Sequence, residues 1–305
     1  FFKERREDIL TNPKRYVLAA GAVGLPPYNF GIVENKGFEM ELGWNSTIGK
    51  VNYYLKGIYA FNRNKVIEKS EAAKPYPYMY EAGLPIKQFI GYQYDGFFSS
   101  YDEIASSPQQ FGLTNLKPGD IKYKDINGDG IVDENDQAPI GYSTVPEMTY
   151  SLQLGASYKG FDVSVMFQGA ARSSVYLYQD LGWDNMTGNY YEEHINRWTP
   201  ETAATATYPR FLQGSKESHQ NYYLSDFWLK DGKYLRLKNV MISYTFDKKM
   251  LRKTPFSSLK IFASGFNLIT WDKLKKVDPE VAPSSNTGYF YPQQRQYNMG
   301  INVSF

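Results

Sequence analysis

Along much of the chain, apolar and polar side chains take turns one residue at a time. Phe38, Met40, Leu42 and Trp44 alternate with Glu39, Glu41, Gly43 and Asn45. Val51, Tyr53, Leu55, Tyr59 and Phe61 share one parity. Met148, Tyr150, Leu152, Leu154, Ala156 and Tyr158 alternate with Thr149, Ser151, Gln153, Gly155 and Ser157. Phe161, Val163, Val165 and Phe167 repeat the pattern, as do Tyr297, Met299, Ile301, Val303 and Phe305. A period of two predicts strands with one apolar and one polar face. Each run is close to the ~9–11 residues that a tilted strand needs to cross a bilayer. Two runs are less regular: Tyr234–Phe246 changes parity near Lys238-Asn239, which predicts a bulge, and Leu259–Trp271 is apolar on both parities. With a weaker run at Phe1–Leu10, eight strands are expected, near 1–10, 37–47, 50–66, 147–158, 161–172, 234–246, 259–271 and 293–305.

The connectors fall into two sizes. Thr47–Lys50, Lys159-Gly160 and 247–258 are short, whereas 11–36, 67–146, 173–233 and 272–292 are long. Compact soluble domains rarely carry so many long loops. An outer-membrane barrel does, because its periplasmic turns are short and its extracellular loops long. With Phe305 at the periplasmic end, every short turn falls on the periplasmic side. The apolar run Phe89–Phe98 would break this parity if it crossed the membrane, so it is expected within an extracellular loop, as a protruding hairpin or a pairing extension. The expected fold is all-β: a transmembrane antiparallel β-barrel with long extracellular loops.

Composition changes the picture little. Aromatic residues make up 17% of the 305 residues, with 27 Tyr and 19 Phe, yet no window approaches a membrane helix. Both a membrane barrel and a soluble, Tyr-rich, sugar-binding β protein fit these figures. A net charge of +2 gives no field for nucleic acid. The absence of cysteine removes disulfides and thiolate chemistry together. The opening Phe1-Phe2-Lys3-Glu4-Arg5-Arg6 looks like the middle of an element, so further chain is expected upstream.

Several blocks, in order, resemble SusC-like (RagA-like) TonB-dependent transporters: Asn35-Lys36-Gly37-Phe38-Glu39, Pro118–Asp125, Tyr158–Val165, Arg197-Trp198-Thr199-Pro200-Glu201 with Tyr208-Pro209-Arg210, Trp228–Val240 with Ser243-Tyr244, Gly265-Phe266-Asn267-Leu268 and Asp278-Pro279-Glu280-Val281. The resemblance implies that residues 1–305 are the C-terminal portion of a barrel of ~22 strands, with the plug domain and the N-terminal strands outside this sequence. It also implies a SusD-like surface lipoprotein, TonB acting through the plug, and energised import of oligosaccharides or peptides across the outer membrane of a Gram-negative, Bacteroidetes-type bacterium. The closing strand, ending in the aromatic Phe305, looks like the signal read by the outer-membrane assembly machinery. Its edge must pair upstream of Phe1, because hydrocarbon tolerates no open edge. A passive porin and a soluble β-rich glycan-binding protein remain the alternatives.

Candidate chemistry is concentrated in one loop. In Asp125-Ile126-Asn127-Gly128-Asp129-Gly130-Ile131-Val132-Asp133-Glu134-Asn135-Asp136, oxygen donors occupy positions 1, 3, 5, 9 and 12 of an EF-hand-like spacing. Gly130 holds the turn position, and Ile131 offers a carbonyl. Asp125, Asn127, Asp129, Ile131, Asp133 and Asp136 are thus the expected ligands of a structural Ca2+. Asp136 stands where EF-hands place Glu, and an Asx-rich turn is the plainer reading. Aromatic clusters, Tyr76/Tyr78/Tyr80 and Trp183 through Trp228, suit membrane girdles, loop packing or substrate. Trp183, Tyr190 and Trp198 are the candidates for substrate contact. No catalytic constellation is present: His194 and His219 lie far apart, and Glu192-Glu193 and Asp180/Asp184 read as solvated charges. The chain is expected not to be an enzyme.

Overall fold

Eight strands pair in sequence order into one antiparallel sheet. They are β1 (Phe2–Thr11), β2 (Tyr28–Ile48), β3 (Val51–Glu68), β4 (Met148–Tyr158), β5 (Phe161–Ala171), β6 (Tyr234–Thr245), β7 (Ser258–Asp272) and β8 (Gln296–Ser304). The computed structural model describes residues 1–12, 26–179, 182–184, 190–212, 219–274, 277–280 and 293–305. β1 and β8 are the two edges of the sheet and are not paired with each other, so the eight strands form an open sheet. Among the described residues no helix is long and apolar enough to cross a membrane.

All eight alternating segments are strands, and the short connectors lie at one end of the sheet. Gly49-Lys50 joins β2 to β3, with Ile48 opposite Val51. Lys159-Gly160 joins β4 to β5 with φ of 47° and 88°, the paired positive values of the two-residue hairpin that matches strand twist. The parity change in β6 is a bulge: register slips between Leu237 and Asn239 against β7, and opposite Met166/Phe167 of β5, leaving Lys238 unpaired. One expectation needs correction. Tyr28–Lys36, read as loop, continues β2 and pairs with β1 from Thr11 back to Lys3. The ladder continues through register shifts between Arg6 and Leu10, and charged residues on both strands mask the alternation. Of the expected loop 11–36, residues 13–25 lie outside the described residues, as do 275–276 and 281–292 of the last connector.

The two faces of the sheet differ sharply. Residues opposite one another in register share a face. One row runs Leu42 (β2), Gly57 (β3), Leu152 (β4), Phe167 (β5), Leu237 (β6) and Ile269 (β7). A second runs through Ile242, Ala263 and Met299 on β6–β8. These side chains have nothing over them: Trp44 is 63% exposed, Ile301 66% and Met299 89%. The other face carries Glu41, Lys56, Gln153, Ser164, Asn239, Ser264 and Asn298, with Lys56 Nζ 2.7 Å from Glu41. Aromatic rings cover glycines on neighbouring strands. A Cβ at Gly155 would lie 2.1 Å from the Tyr54 ring, and one at Gly300 2.5 Å from that of Phe262. The glycines are seats for rings that fix register.

The connectors 69–147 and 172–233, both at the end opposite the short turns, fold into one body. Phe89–Gly91 pairs with Ala138–Ile140, Tyr94–Phe97 with Ile121–Tyr123, and Ser174–Tyr176 with Leu229–Asp231. The Phe89–Phe98 run is thus paired within the loops and has no place in the eight-stranded sheet. The core of this body is aromatic: Tyr92, Tyr123, Trp183, Tyr208, Tyr222 and Trp228 with Ile121 and Val132.

A charge tests the assignment of faces. Leu152→Arg in the full-length protein is expected to cost ~2–4 kcal/mol of folding stability in vesicles, the penalty for a cation at mid-bilayer depth. Gln153→Arg, one residue along on the polar face, is expected to be near neutral in the same urea titration.

Candidate functional site

Near the short turns the polar face holds a groove of about 670 Å³, lined among others by Asn52, Tyr54, Gln153, Ser157, Asp162 and Lys260. Hydroxyls, amides and paired charges make such a wall wettable. Toward the other end it meets a buried ion cluster. Arg236, 1% exposed, points inward from β6 and donates to Thr270 Oγ1 (2.9 Å), Asp278 (2.7 Å) and Glu280 (2.9 Å). Lys238 Nζ lies 3.1 Å from Glu280, and the Tyr234 hydroxyl donates to Glu280 at 3.0 Å. The blocks Tyr234–Val240 and Asp278–Glu280, separate in sequence, are two halves of this clamp, which ties the last connector to the wall. Val281 lies outside the described residues.

The loop body is held by polar groups its sequence does not advertise. Asp120 is fully buried. It faces Arg210 Nε at 2.7 Å and accepts from Asn221 Nδ2 at 2.9 Å. Gly119, at φ +88°, turns the chain so that Trp198 and Arg210 pack on its bare Cα; a Cβ there would meet Trp198 at 2.5 Å. Trp198 N–H donates to the Tyr208 carbonyl at 2.8 Å. The blocks 118–120, 197–201 and 208–210 therefore meet at one corner. Gln110 Nε2 donates to Gln220, the Tyr123 hydroxyl donates to the Gln220 carbonyl (2.7 Å), and Asn221 Oδ1 accepts from Ile121 N–H (2.8 Å). These bonds stitch the two connectors together.

Asp184 is not a solvated charge: it is 1% exposed and accepts from the hydroxyls of Tyr222 and Tyr208. Burial, reinforced by the neighbouring tyrosine and the Asp184 charge, pushes the Tyr208 hydroxyl well above the ordinary phenol range, and burial does the same at Tyr222. Both therefore remain donors. Asp180 lies outside the described residues. His194 is buried at 2%, with Nδ1 accepting from Tyr191 N–H at 3.0 Å. His219 caps the turn Gln220–Tyr222.

The three aromatic substrate candidates have different settings. Trp183 is 2% exposed, its ring closed between Tyr178 and Tyr222 at 4.8 and 4.7 Å, so it presents no face for stacking and belongs to the core. Trp198 is half-buried on Gly119. Tyr190 alone of the three is exposed, with its ring 5.2 Å from that of Phe211.

In the loop Asp125–Asp136, alternate side chains catch the backbone ahead of them. Asp125 accepts from Gly128 and Gly130 N–H (2.7 and 2.8 Å), Asn127 from Asp129 N–H, Asp129 from Ile131 N–H, and Asp136 from Ile126 and Asp133 N–H (2.7 and 2.8 Å). Asp133 instead caps the turn Glu134–Asp136. Among the described residues no group of three or more His, Cys, Asp or Glu is gathered as a metal site. The donor set is nevertheless all oxygen, and each carboxylate oxygen that accepts one N–H keeps a second lone pair. The Tyr78 hydroxyl donates to the Asn135 carbonyl at 2.6 Å, fixing the loop to the Tyr76/Tyr78 stack.

Known proteins share this architecture. No protein-family model matches the chain. TonB-dependent receptor P26 of Formosa agariphila is 27% identical over 302 residues, covering 91% of this chain. TonB-dependent receptor SusC of Bacteroides thetaiotaomicron is 23% identical over 322 residues, covering 99% of the chain. The chain spans about 30% of the length of these relatives. In the solved structure of the RagAB peptide transporter, one chain superimposes with a TM-score of 0.72 at 21% identity, covering 99% of this chain and 32% of that one. The resemblance to SusC-like TonB-dependent receptors holds in sequence, and the eight-stranded sheet shares its fold with a stretch of the RagAB transporter chain.

Arg236→Met leaves Asp278 and Glu280 without their shared guanidinium. A loss of ~3–5 kcal/mol, the cost of breaking a buried pair from one side, is expected to appear as rapid proteolysis near 273–280, while heat-modifiable migration of the full-length barrel is retained.

Proposed function

We propose that this chain forms part of the barrel of an outer-membrane importer, energised through TonB and working with a SusD-like surface lipoprotein, that takes up oligosaccharides or peptides. The observation that carries the reading is the uncovered apolar face of the sheet. One face is apolar with nothing packed over it, and the other is polar and charged. A soluble glycan-binding protein would bury the first and solvate the second. In this reading hydrocarbon covers Leu42, Leu152, Ile242 and Met299, while Lys56, Gln153 and Lys260 line the aqueous path. The loop body stands at the extracellular end, where a lid would sit, and Tyr190 offers a stacking face there.

The energy source separates this reading from a passive porin. Uptake of oligosaccharide or peptide by cells carrying the full-length protein is expected to stop when a protonophore is added or TonB is removed. Uptake that continues unchanged would establish a pore.

The loop Asp125–Asp136 suits a structural Ca2+. In support, the side chains of positions 1, 3, 5 and 12 are already turned inward by bonds to successive amides, and positive φ at Gly128 (75°) and Gly130 (86°) closes the turn. Asp125, Asn127, Asp129, Asp133 and Asp136, with the Ile131 carbonyl, would hold it, and the ion would supply rigidity to the loop. Asp125→Ala with Asp129→Ala is expected to abolish Ca2+ uptake by the purified full-length protein and to speed hydrogen exchange at 125–136, leaving barrel migration unchanged. Equal exchange in calcium and in chelator would assign the loop to amide capping alone.

A further inference from the structure

The outward face of β1–β3 changes character at the end that carries the loop body. Phe1, Phe38 and Phe61 close the apolar belt there, with Phe38 5.7 Å from Phe1 and 6.1 Å from Phe61 between ring centroids. Two residues further along each strand, on the same face, stand Lys3, Lys36 and Arg63. They lie directly opposite one another, Lys3 against Lys36 and Lys36 against Arg63. Strand spacing places the three Cα atoms across ~10 Å. The next row on that face is Arg5, Glu34 and Lys65.

The acids among them are turned inward and shared. Glu34, with 15% of its side chain exposed, lies 2.9 Å from Lys3 and 3.4 Å from Lys36, whose side chains remain 66% exposed. Glu147, 8% exposed, lies between Arg63 (3.2 Å) and Arg172 (2.8 Å). The Arg172 guanidinium covers the Phe61 ring at 5.7 Å and the Tyr142 ring at 5.2 Å. On this face Lys3, Arg5, Lys36, Arg63, Lys65 and Arg172 outnumber Glu7, Glu34, Glu68 and Glu147. Each of Glu34 and Glu147 orients two cations and leaves their outer sides available. A basic row one step beyond an aromatic row, on the side that meets lipid, lies at headgroup depth, where long side chains reach out of the hydrocarbon.

We infer that Lys3, Lys36 and Arg63, with Arg172 beside them, form a docking surface for the phosphate-bearing headgroups of outer-leaflet glycolipid. The inference rests on the reading of the sheet as an outer-membrane barrel with its long loops outside. The test uses the full-length protein in detergent and the triple variant Lys3→Gln, Lys36→Gln, Arg63→Gln. Melting temperature is read with added diphosphoryl lipid A, phosphatidylcholine or inorganic phosphate. The wild type is expected to rise by several degrees with lipid A only, and the variant to lose most of that rise while keeping heat-modifiable migration. Equal rises in wild type and variant, no rise in the wild type, or the same rise with inorganic phosphate overturns the proposal. Membrane extraction is scored on the same preparations. A wild-type barrel that needs detergent but shows no lipid response sinks this inference alone, whereas a protein released without detergent sinks the barrel reading with it.

Discussion

A backbone amide or carbonyl left unpaired in hydrocarbon has no water to turn to. In the barrel proposed for this chain, that penalty organises the strands. It demands strands in an unbroken antiparallel ladder, and the ladder from β1 to β8 runs in sequence order with no crossover. Once the ladder exists, alternation decides which face meets lipid. A slip of one residue would exchange Leu152 for Gln153 across an entire strand. Rings seated on Gly155 and Gly300 resist such a slip. The break at Lys238 is local and shared by the strands on either side, so polar and apolar rows resume in phase beyond it; the other register shifts lie at Arg6–Leu10 and Ile32, at the loop-body end of β1 and β2.

Above the wall a different physics applies. The loop body is solvated outside and closed inside, and its core mixes rings with charges that are each answered. Asp120 meets Arg210, Asp184 takes two tyrosine hydroxyls, Gln110 donates to the Gln220 side chain, and Gln220 and Asn221 serve the backbone of the facing connector. Buried polar groups tolerate few alternative arrangements, because any other leaves one of them unpaired. A purely aromatic core would gain more area and specify less. The same logic appears at Arg236, where one guanidinium serves two acids and a hydroxyl.

The parts legible in the sequence are those governed by period two. Strand positions, the parity of the connectors, the exclusion of Phe89–Phe98 from the wall and the bulge near Lys238 all follow from it. The extension Tyr28–Lys36 was hidden because, beyond the membrane, neither face needs to be apolar. Asp184 was misread for a related reason: hydropathy assigns a carboxylate to solvent and says nothing of two hydroxyls contributed from a distance. Trp183 shows a third limit. A ring that stacks on a ligand and one that fills a core are the same residue, and only the enclosure by Tyr178 and Tyr222 separates them. The Arg236 clamp left one trace, since both of its halves stood among the blocks that carry the family resemblance.

The loop body draws its core from connectors on either side of the β4–β5 hairpin. Asp120 comes before that hairpin and Arg210 after it, so the ion pair closes a loop of roughly ninety residues with a membrane insertion inside it. The order of events during biogenesis follows. In the proposed outer-membrane barrel, the first connector must reach the outer side and wait, its aromatic rings unpaired, until β4 and β5 are in place and the second connector arrives. Non-local closure of this kind is slow. A wall of neighbour-to-neighbour hairpins closes locally, so in that barrel the external body, which depends on contacts far apart in sequence, completes last.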